Sequence, residues 1–453
     1  MLLTLLALSC RDKSTDTSPT VAMESACGDV SPLTNTRALQ FDGAVPTNLI
    51  IISIDTLRRD RVGRYSGGDD TPFLDERLAA SVVLDDLQAC ANWTLPGVFC
   101  AVTGQLMLEQ GLEPFDATLL ESPDYMNPEL PTMAGWMRDA GWATALVTTS
   151  KLFSNELPTG NGFQDVTFDS DMDAAGVADA ARAALDVLQA RTDGMPWYLQ
   201  VHFRDPHGPY NPPESYQGDL AGADLSPYDP RTSDGISAIH SDLTTMDADT
   251  RQSVQDDIET LYTGELRYLD TQLAQLWRDW EAAGVLDDAL VVFWSDHGEQ
   301  FFEHGGFQHG TSLHQEEALA IGAFWAKNLP ATTFSAPTTH TDIPATLLDL
   351  YGITPTTVLS GVPLGASGSD RVRVSVARDR DLRLRFAADR NGHRLLYHWD
   401  GDRSYYQTPL DPLEEQNRYD STPEEVACLW EHLLPVVESI DSSTIGAPVN
   451  PGP

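Results

Sequence analysis

The stretch Ala289–Glu299, with the sequence ALVVFWSDHGE, decides the fold class of this chain. Its first six residues are an uninterrupted apolar run of the length and composition of a strand that is buried on both faces. Asp296 and His297 follow at the point where the strand meets a loop. Because α/β enzymes place their chemistry at the carboxyl ends of their strands, the stretch predicts a functional site as well as a core strand.

A second stretch, Asn48–Arg58, has the sequence NLIIISIDTLR and repeats this pattern, with Asp55 at the end of the apolar run. One such stretch alone could be a polar turn that contains Asp and His by chance. Two apolar strands that each end in a carboxylate argue against a chance turn. A carboxylate and a neutral imidazole are suitable ligands for a divalent cation. The two stretches together predict a metal site at one edge of a sheet.

Strand-like apolar runs alternate with helical patterns up to about residue 360. This alternation predicts an α/β fold with a large, mostly parallel sheet flanked by helices. The predicted strands are Leu49–Ile54, Ala145–Thr148, Trp197–Phe203 and Leu290–Trp294, and the predicted helices are Leu130–Ala140, Asp173–Ala190 and Thr250–Ala283. The Gly-, Pro-, Ser- and Asp-rich segment Ser215–Asp249 is interpreted as a surface excursion.

The pattern changes after Gly361, where short alternating strands are joined by turn sequences at Asn391-Gly392 and Asp400-Gly401. They predict a small C-terminal antiparallel sheet, followed by one helix. The predicted elements are the strands Arg371–Val376, Leu382–Ala387 and Arg394–Trp399 and the helix Pro423–Val437. We therefore expect three regions: 1–38, a lipoprotein-like signal and disordered tether; 39–360, the catalytic domain; and 361–453, an α+β subdomain.

The charge of the chain limits its partners. Its 453 residues contain 28 Lys and Arg against 68 Asp and Glu, for a formal net charge of -40. Nucleic acid and anionic membrane surfaces are therefore excluded as expected partners. An anionic substrate would need local positive charge, and the basic residues near the motifs are Arg58, Arg59, Lys151 and Arg204.

The first ten residues, MLLTLLALSC, form an apolar run that is too short to span a bilayer. A short apolar run that ends in a small residue and Cys resembles the end of a bacterial lipoprotein signal, although no positive segment precedes it. This predicts an exported, periplasmic or outer-membrane lipoprotein that contacts the membrane only through a lipid on Cys10. An ordinary disordered N-terminus is the alternative.

Four further cysteines, Cys27, Cys90, Cys100 and Cys428, leave two interpretations open. In an exported protein they can form two disulfides, with three possible connectivities. A bridge between Cys90 and Cys100 would stiffen the segment between them. Buried free thiols are the other interpretation.

The motifs and their order resemble the sulfatase family of the alkaline phosphatase superfamily. The resemblance runs from about Asn48 to the C-terminal helix. Its landmarks are IDTLR at 54–58, TPFLD at 71–75, WTLPG at 93–97, TG at 103–104, DPHGPY at 205–210, SDHGE at 295–299, EHG at 303–305, HG at 309–310, DIPATLLDL at 342–350 and TPLDPLEEQN at 408–417.

The resemblance implies one divalent metal ion (Mn, Mg, Zn or Ca) held by Asp55, Asp296 and His297. Thr56 stands where many sulfatases have a second Asp, and this loss of an oxygen ligand argues against Ca. Thr94, His207 and His309 are implied as catalytic residues, and Arg58, Lys151 and His304 as substrate-binding residues. For Lys151 the spacing is shifted relative to the family pattern.

Thr94 occupies the family's nucleophile position, but the formylglycine motif Cys/Ser-x-Pro-x-Arg is absent, since the segment is TLPGV at 94–98. Threonine cannot become formylglycine, whereas its hydroxyl can act directly once it is activated. We expect a helix over Leu95–Gly104 with Pro96 in its first turn, so that Thr94 lies where the helix dipole favours an anion. In the alternative interpretation Thr94 only caps that helix.

These features predict a metal-dependent, sulfatase-like hydrolase of sulfate or phosphate esters. Its substrate would be an anionic ester, carried by a glycan or a lipid head group. One alternative is a phosphoglycerol- or phosphoethanolamine-type transferase in which Thr94 forms the covalent intermediate. Another is a catalytically degenerate lipoprotein that binds a glycan or a protein, which the loss of the formylglycine motif and of the second Asp would suit.

Overall fold

The computed structural model describes residues 38–110, 126–191, 194–366, 368, 370–378, 383–421 and 423–440. The predicted lipoprotein-like signal with Cys10, the tether and Cys27 lie outside the described residues. Export and lipidation therefore stay predictions.

The described strands are two to seven residues long. They are β1 Asn48–Ile54, β2 Val82–Leu84, β3 Leu87–Gln88, β4 Ala143–Thr148, β5 Asp165–Phe168, β6 Trp197–Phe203, β7 Ala289–Ser295, β8 Gln300–Phe301, β9 Phe307–Gln308, β10 Leu319–Ala320, β11 Gly322–Trp325, β12 Thr332–Phe334, β13 Thr338–Thr339, β14 Arg373–Arg378, β15 Leu384–Arg390, β16 His393–His398 and β17 Arg403–Gln407.

The described helices include one of 35 residues, α7, which runs along the sheet. They are α1 Gly63–Ser66, α2 Pro72–Ala79, α3 Thr94–Thr103, α4 Met133–Asp139, α5 Ala174–Arg191, α6 Ser233–Asp242, α7 Ala248–Ala282, α8 Gln315–Ala318, α9 Asp342–Tyr351 and α10 Pro423–Glu438. None of these helices is long and apolar enough to cross a membrane.

The largest sheet has eight strands in the order β12-β2-β11-β7-β1-β6-β4-β5. Its centre, β7-β1-β6-β4-β5, is parallel throughout, and β11 runs antiparallel to both of its neighbours. The predicted α/β fold, with a mostly parallel sheet flanked by helices, is confirmed.

Strand β1 shows why this sheet is covered on both faces. Ile50, Ile52 and Ile54 belong to the apolar cluster that includes α5 and α7, while Leu49 and Ile51 belong to the cluster that includes α3, α4 and α9. Because successive side chains of a strand point to opposite faces, a strand buried on both faces is apolar along most of its length.

The register of the three central strands brings their polar ends together. Ile54 lies opposite Ser295, so Asp55 and Asp296 follow side by side. Ser53 lies opposite His202, near the carboxyl end of β6. The same edge of the sheet therefore presents groups from β1, β6 and β7.

The C-terminal sheet, β14-β15-β16-β17, is antiparallel and packs against α10. Asn391 and Gly392, with φ angles of 49° and 78°, form the turn between β15 and β16. Only Gly, Asn and Asp enter this region of φ readily, which explains the turn sequence. The predicted small antiparallel sheet is confirmed, and β17 is a strand that the sequence analysis missed.

The structure adds detail to one expectation and decides between two interpretations of another. The segment Ser215–Asp249 contains the helix α6, whose N-terminus is capped by the Thr232 side chain and whose Ile239 is buried. Cys90 and Cys100 are buried free thiols, so no bridge joins them. Cys428 is disulfide-bonded.

Candidate active site

The predicted ligands Asp55, Asp296 and His297 lie together at the carboxyl edge of the sheet. Nε2 of His297 is 3.6 Å from Oδ1 of Asp55 and 3.4 Å from Oδ2 of Asp296. Nδ1 of His297 bonds the Gly298 carbonyl at 2.8 Å. A carbonyl only accepts, so Nδ1 carries the proton and the lone pair of Nε2 faces the two carboxylates.

A fourth group, His202, was missed by the sequence analysis. Its Nε2 lies 3.9 Å from Oδ2 of Asp55. Asp55, His202 and Asp296 each offer a ligand atom, and these atoms all lie within 4.8 Å of one another. The signal in the sequence was the alternation of Gln200 and His202 with apolar residues, which marks one polar face of an otherwise apolar strand.

The hydroxyl of Ser53 orients His202. Oγ of Ser53 lies 2.8 Å from Nδ1 of His202, accepts a hydrogen bond from Nε2 of Gln200 at 2.8 Å and donates to the Val201 carbonyl at 3.4 Å. With its one proton directed to the carbonyl, Oγ accepts from Nδ1–H. The lone pair of Nε2 then points towards the carboxylates.

The electrostatics of this cluster suit a cation. Nε2 of His202 and Oδ2 of Asp296 are buried and have no hydrogen-bond partner among the described residues. Burial and the charge of Asp55 raise the pKa of Asp296 well above its usual value. Burial lowers the pKa of His297, which keeps that ring neutral. The unpaired atoms of His202 and Asp296, with the neighbouring Asp55 and His297, make a set of two carboxylates and two imidazoles that suits a divalent transition metal.

Thr94 is the first residue of α3 and lies against this cluster. Its Oγ1 is 3.5 Å from Oδ1 of Asp55 and 3.5 Å from Nε2 of His297. Trp93, not Thr94, is the capping residue, so the interpretation of Thr94 as a helix cap is wrong. The helix dipole places partial positive charge at this end of α3, where an anion is favoured.

Gly97 allows α3 to approach the loop of Asp296 and His297. A β-carbon at this position would lie 3.0 Å from the Asp296 carbonyl oxygen. Thr56 on the neighbouring loop has a φ of 52°, in the left-handed region that β-branched residues avoid, and its N–H donates to Oδ1 of Asp296 at 3.1 Å. The strained backbone of Thr56 therefore holds one carboxylate in place.

His309 and His207 lie on the solvent side of the cluster. The ring centroid of His309 is 4.6 Å from that of His297 and 5.0 Å from that of His207. Nδ1 of His309 donates to Oε1 of Glu299 at 2.8 Å, and the Tyr210 hydroxyl donates to Oε2 of the same carboxylate at 2.6 Å. Burial lowers the pKa of His207 to about 4, which keeps that ring neutral at pH 7.

Arg58 and Lys151, both predicted to bind substrate, lie in different surroundings. The Arg58 guanidinium is buried, forms ion pairs with Asp60 and Glu303, and donates to the Glu299 carbonyl. The Lys151 side chain is 65% exposed, with Glu156 at 3.6 Å. Arg58 therefore supports the loop of Glu299, and Lys151 lies on the surface.

His304 lies between α8 and the segment of Glu414 that follows the C-terminal sheet. Its Nδ1 contacts Oε1 of Glu316 at 2.6 Å, its Nε2 contacts the Glu414 carbonyl at 3.2 Å, and its ring stacks on that of His314 with centroids 3.5 Å apart. Both ring nitrogens thus bond protein acceptors. Burial opposes protonation, but the hydrogen bond and charge of Glu316 raise the pKa of His304 to about 9.

We expect this histidine to make stability depend on pH. Its pKa is raised from an unfolded value of about 6.5, so its contribution is complete below that pH and is lost as pH rises through about 9. The free energy of unfolding in urea, measured from pH 6 to 9.5, should fall by about 2 kcal/mol more in the native chain than in His304→Gln. Equal slopes in the two proteins would contradict this assignment.

The sequence of this chain matches a known protein family and known proteins. The family model described as Sulfatase matches residues 47–353. Choline-sulfatase of Rhizobium meliloti (strain 1021) is 26% identical over 275 residues, which cover 56% of this chain and 51% of that protein. The chain spans about half the length of these curated relatives, which include an arylsulfatase of Clostridium perfringens (strain 13 / Type A).

Solved structures show the same fold. A protein in complex with its substrate D-glucosamine-2-N,6-O-disulfate superimposes with a TM-score of 0.69 at 15% identity, over 87% of this chain and 98% of that one. The phosphonate monoester hydrolase of Silicibacter pomeroyi superimposes with a TM-score of 0.67 at 18% identity, over 88% of this chain and 97% of that one.

Proposed function

Because the chain belongs to the sulfatase family, we propose that it is a metal-dependent hydrolase of anionic esters in which Thr94 is the nucleophile. The observation that carries this proposal is the position of the Thr94 hydroxyl. Oγ1 lies at the N-terminus of α3, 3.5 Å from a carboxylate oxygen of Asp55 and 3.5 Å from Nε2 of His297.

Asp55, Asp296, His297 and His202 would hold one divalent cation. Such an ion supplies positive charge for the ester's anionic oxygens and lowers the pKa of a neighbouring hydroxyl. Two imidazoles and two carboxylates suit Mn or Zn better than Ca, which prefers six to eight oxygen ligands. Thr56 supplies no carboxylate, and His202 takes the place of that missing ligand.

Side chains of the protein itself carry out the bond-breaking and proton-transfer steps. Oγ1 of Thr94 gives up its proton to solvent and attacks the sulfur or phosphorus atom, and the bond to the ester oxygen breaks. His309, held through Nδ1 by Glu299, delivers the proton that converts this oxygen into an alcohol. Water then adds to the same sulfur or phosphorus atom, the bond to Oγ1 breaks, and a proton of that water restores the Thr94 hydroxyl as the acid leaves. The neutral ring of His207 positions an anionic oxygen beside the nucleophile.

The substrate is proposed to be a sulfate, phosphate or phosphonate ester of a glycan. One structural neighbour binds a sulfated glucosamine, and another is named as a phosphonate monoester hydrolase. The formylglycine motif is absent, and a threonine hydroxyl acts as a direct nucleophile of the kind that phosphoryl transfer uses, which favours phosphorus esters.

The test is hydrolysis of 4-nitrophenyl sulfate, phosphate, bis-phosphate and phenylphosphonate esters, each with Mn, Zn, Mg and Ca. We expect turnover that depends on added metal, is fastest with Mn or Zn, and is abolished by a chelator. The preferred ester identifies the subclass. If the chain hydrolyses none of these esters and binds no metal, the enzyme proposal is wrong and a binding protein is favoured.

A transferase is the second candidate, and the hydroxyl of Thr94 is the observation that favours it. In that case a phosphoryl group moves from Thr94 to an acceptor alcohol instead of to water. Incubation with a labelled phosphodiester, followed by mass spectrometry, should find phosphate on Thr94 and faster release with glycerol or a sugar than with water. Release rates that do not change with acceptor would exclude the transferase.

A further inference from the structure

Glu317 is a fully buried carboxylate in α8, outside the groups that form the candidate site. It lies where three segments meet: the approach to Thr94, the loop after His297 and the loop that follows His309. Burying a carboxylate without a cation is costly unless hydrogen bonds replace its hydration. The partners of Glu317 come from these same segments.

The carboxylate accepts hydrogen bonds at both oxygens. Oε2 accepts from Nδ2 of Asn92 at 3.0 Å and from the Thr311 N–H at 3.1 Å. Oε1 accepts from Nε2 of Gln300 at 2.8 Å, from the Ser312 N–H at 3.0 Å and from the Thr311 hydroxyl at 2.5 Å. Only an acceptor on both oxygens satisfies this set of donors.

Asn92 continues the connection to the nucleophile. It stands two residues before Thr94 and donates to the Ser312 carbonyl at 2.6 Å. The main-chain carbonyl of Asn92 accepts a hydrogen bond from the Gly310 N–H at 3.0 Å. The segment before Thr94 and the loop after His309 are thus joined to each other and to the same carboxylate.

The main chain around Glu317 holds the metal-binding loop. The Gly298 N–H donates to the Glu317 carbonyl at 2.8 Å, and the Glu299 N–H donates to the Glu316 carbonyl at 2.9 Å. A β-carbon on Gly298 would lie 2.0 Å from the Glu316 oxygen, so this close approach requires glycine. Glu317 therefore contacts the neighbours of Thr94, His297 and His309 simultaneously.

We propose that Glu317 is a positioning residue for the reaction, which holds these three groups in register through Asn92, Gly298 and the Thr311–Ser312 segment. This inference rests on the proposed function. Displacement of a reacting group by about 1 Å costs on the order of 100-fold in rate. The carboxylate touches no substrate and acts only through its hydrogen-bond partners.

The test is Glu317→Gln, which keeps the shape but turns one oxygen into an amide donor that faces other donors. We expect kcat to fall by about 10- to 100-fold, with KM within about threefold and Mn²⁺ affinity within about threefold of the native chain. Asp270→Asn is the matched control, because Asp270 is a buried carboxylate that accepts the N–H groups of Phe73 and Leu74 in α2. It should lower stability but leave kcat per folded molecule unchanged.

A second variant, Asn92→Ala, keeps the proposal testable if Glu317→Gln does not fold. It removes one connection only and should lower kcat by about tenfold with KM unchanged. In the double variant the two effects should be less than multiplicative, because both act through one network. Unchanged kcat in the folded variants would overturn the positioning role.

Failure of the proposed function gives a different result. If the native chain hydrolyses no ester, the proposed function is wrong. The positioning role is then tested by the binding of orthovanadate, measured by calorimetry. The positioning role then predicts about tenfold weaker vanadate binding in Glu317→Gln and equal binding in Asp270→Asn. Equal binding in all three proteins would overturn it.

Discussion

Thr94→Ala is expected to lower kcat by at least about a thousandfold while the protein stays folded and keeps its metal affinity. The side chain is nearly fully buried, and its hydroxyl faces Asp55 and His297. Removal of the hydroxyl removes the attacking atom without deleting a ligand of the proposed metal set. The loss should therefore fall on kcat, with no compensating change in KM.

Thr103→Ala is the matched control, since it makes the same substitution at the other end of α3. The Thr103 hydroxyl donates to the Phe99 carbonyl at 2.7 Å and contacts no group of the site. Thr94→Ser should retain activity within about tenfold, because it keeps a hydroxyl in the same position. Stopped-flow and steady-state assays on the preferred ester, with circular dichroism for folding, measure all three variants.

Two outcomes would contradict this account. If Thr94→Ala retains activity, the nucleophile is water or another residue, and Thr94 only lines the site. If Thr103→Ala loses as much activity as Thr94→Ala, the effect belongs to the packing of α3. The loss in Thr94→Ala has to appear without a matching loss in Thr103→Ala.

The central strands could be predicted because their sequences leave few choices. Trp197–Phe203 was predicted with the observed bounds, and Leu49–Ile54 differs from β1 by one residue. A run of apolar residues that is bounded by polar ones and is too short for a helix favours a strand buried on both faces. The carboxylates at the ends of β1 and β7 then mark the edge where the site lies.

His202 could not be assigned in the same way, because its role depends on a neighbouring strand. Within β6 it resembles a histidine accommodated in a core. Its position beside Ser53 follows only from the parallel register of β1 and β6, which the sequence does not specify. The contacts of Glu317 could not be predicted for a similar reason, since they join residues that are 5, 6, 17 and 225 positions apart in the sequence.

Helix α6 was missed because its sequence, SDGISAIHSD, contains few apolar residues. Gly235 explains how such a segment can pack. A β-carbon at this position would lie 1.9 Å from the Asp229 carbonyl oxygen, so glycine allows the helix to lie close to the preceding loop. Composition predicts the surface location of this segment, but a contact of this kind can be seen only in the structure.

His202→Leu is expected to weaken Mn²⁺ binding by at least about 100-fold, because it removes one of the four proposed ligands and leaves Asp55 and Asp296 without a partner at that side. Leucine fills much of the space that the imidazole occupies beside Phe153, whose ring centroid is 5.6 Å away. Calorimetry and the electron paramagnetic resonance signal of free Mn²⁺ measure the affinity directly, independently of turnover. Metal-dependent thermal stabilisation should decrease in parallel.

Ser53→Ala separates ligation from orientation. It keeps the imidazole but removes the oxygen that accepts from Nδ1 at 2.8 Å, so affinity should fall by only about 10-fold. A graded series, with the native chain tightest, Ser53→Ala intermediate and His202→Leu weakest, is the signature of a ligand held by a second group. If His202→Leu binds Mn²⁺ as tightly as the native chain, the metal is held by Asp55, Asp296 and His297 alone. His202 on β6 then does not replace the carboxylate ligand that is absent at Thr56.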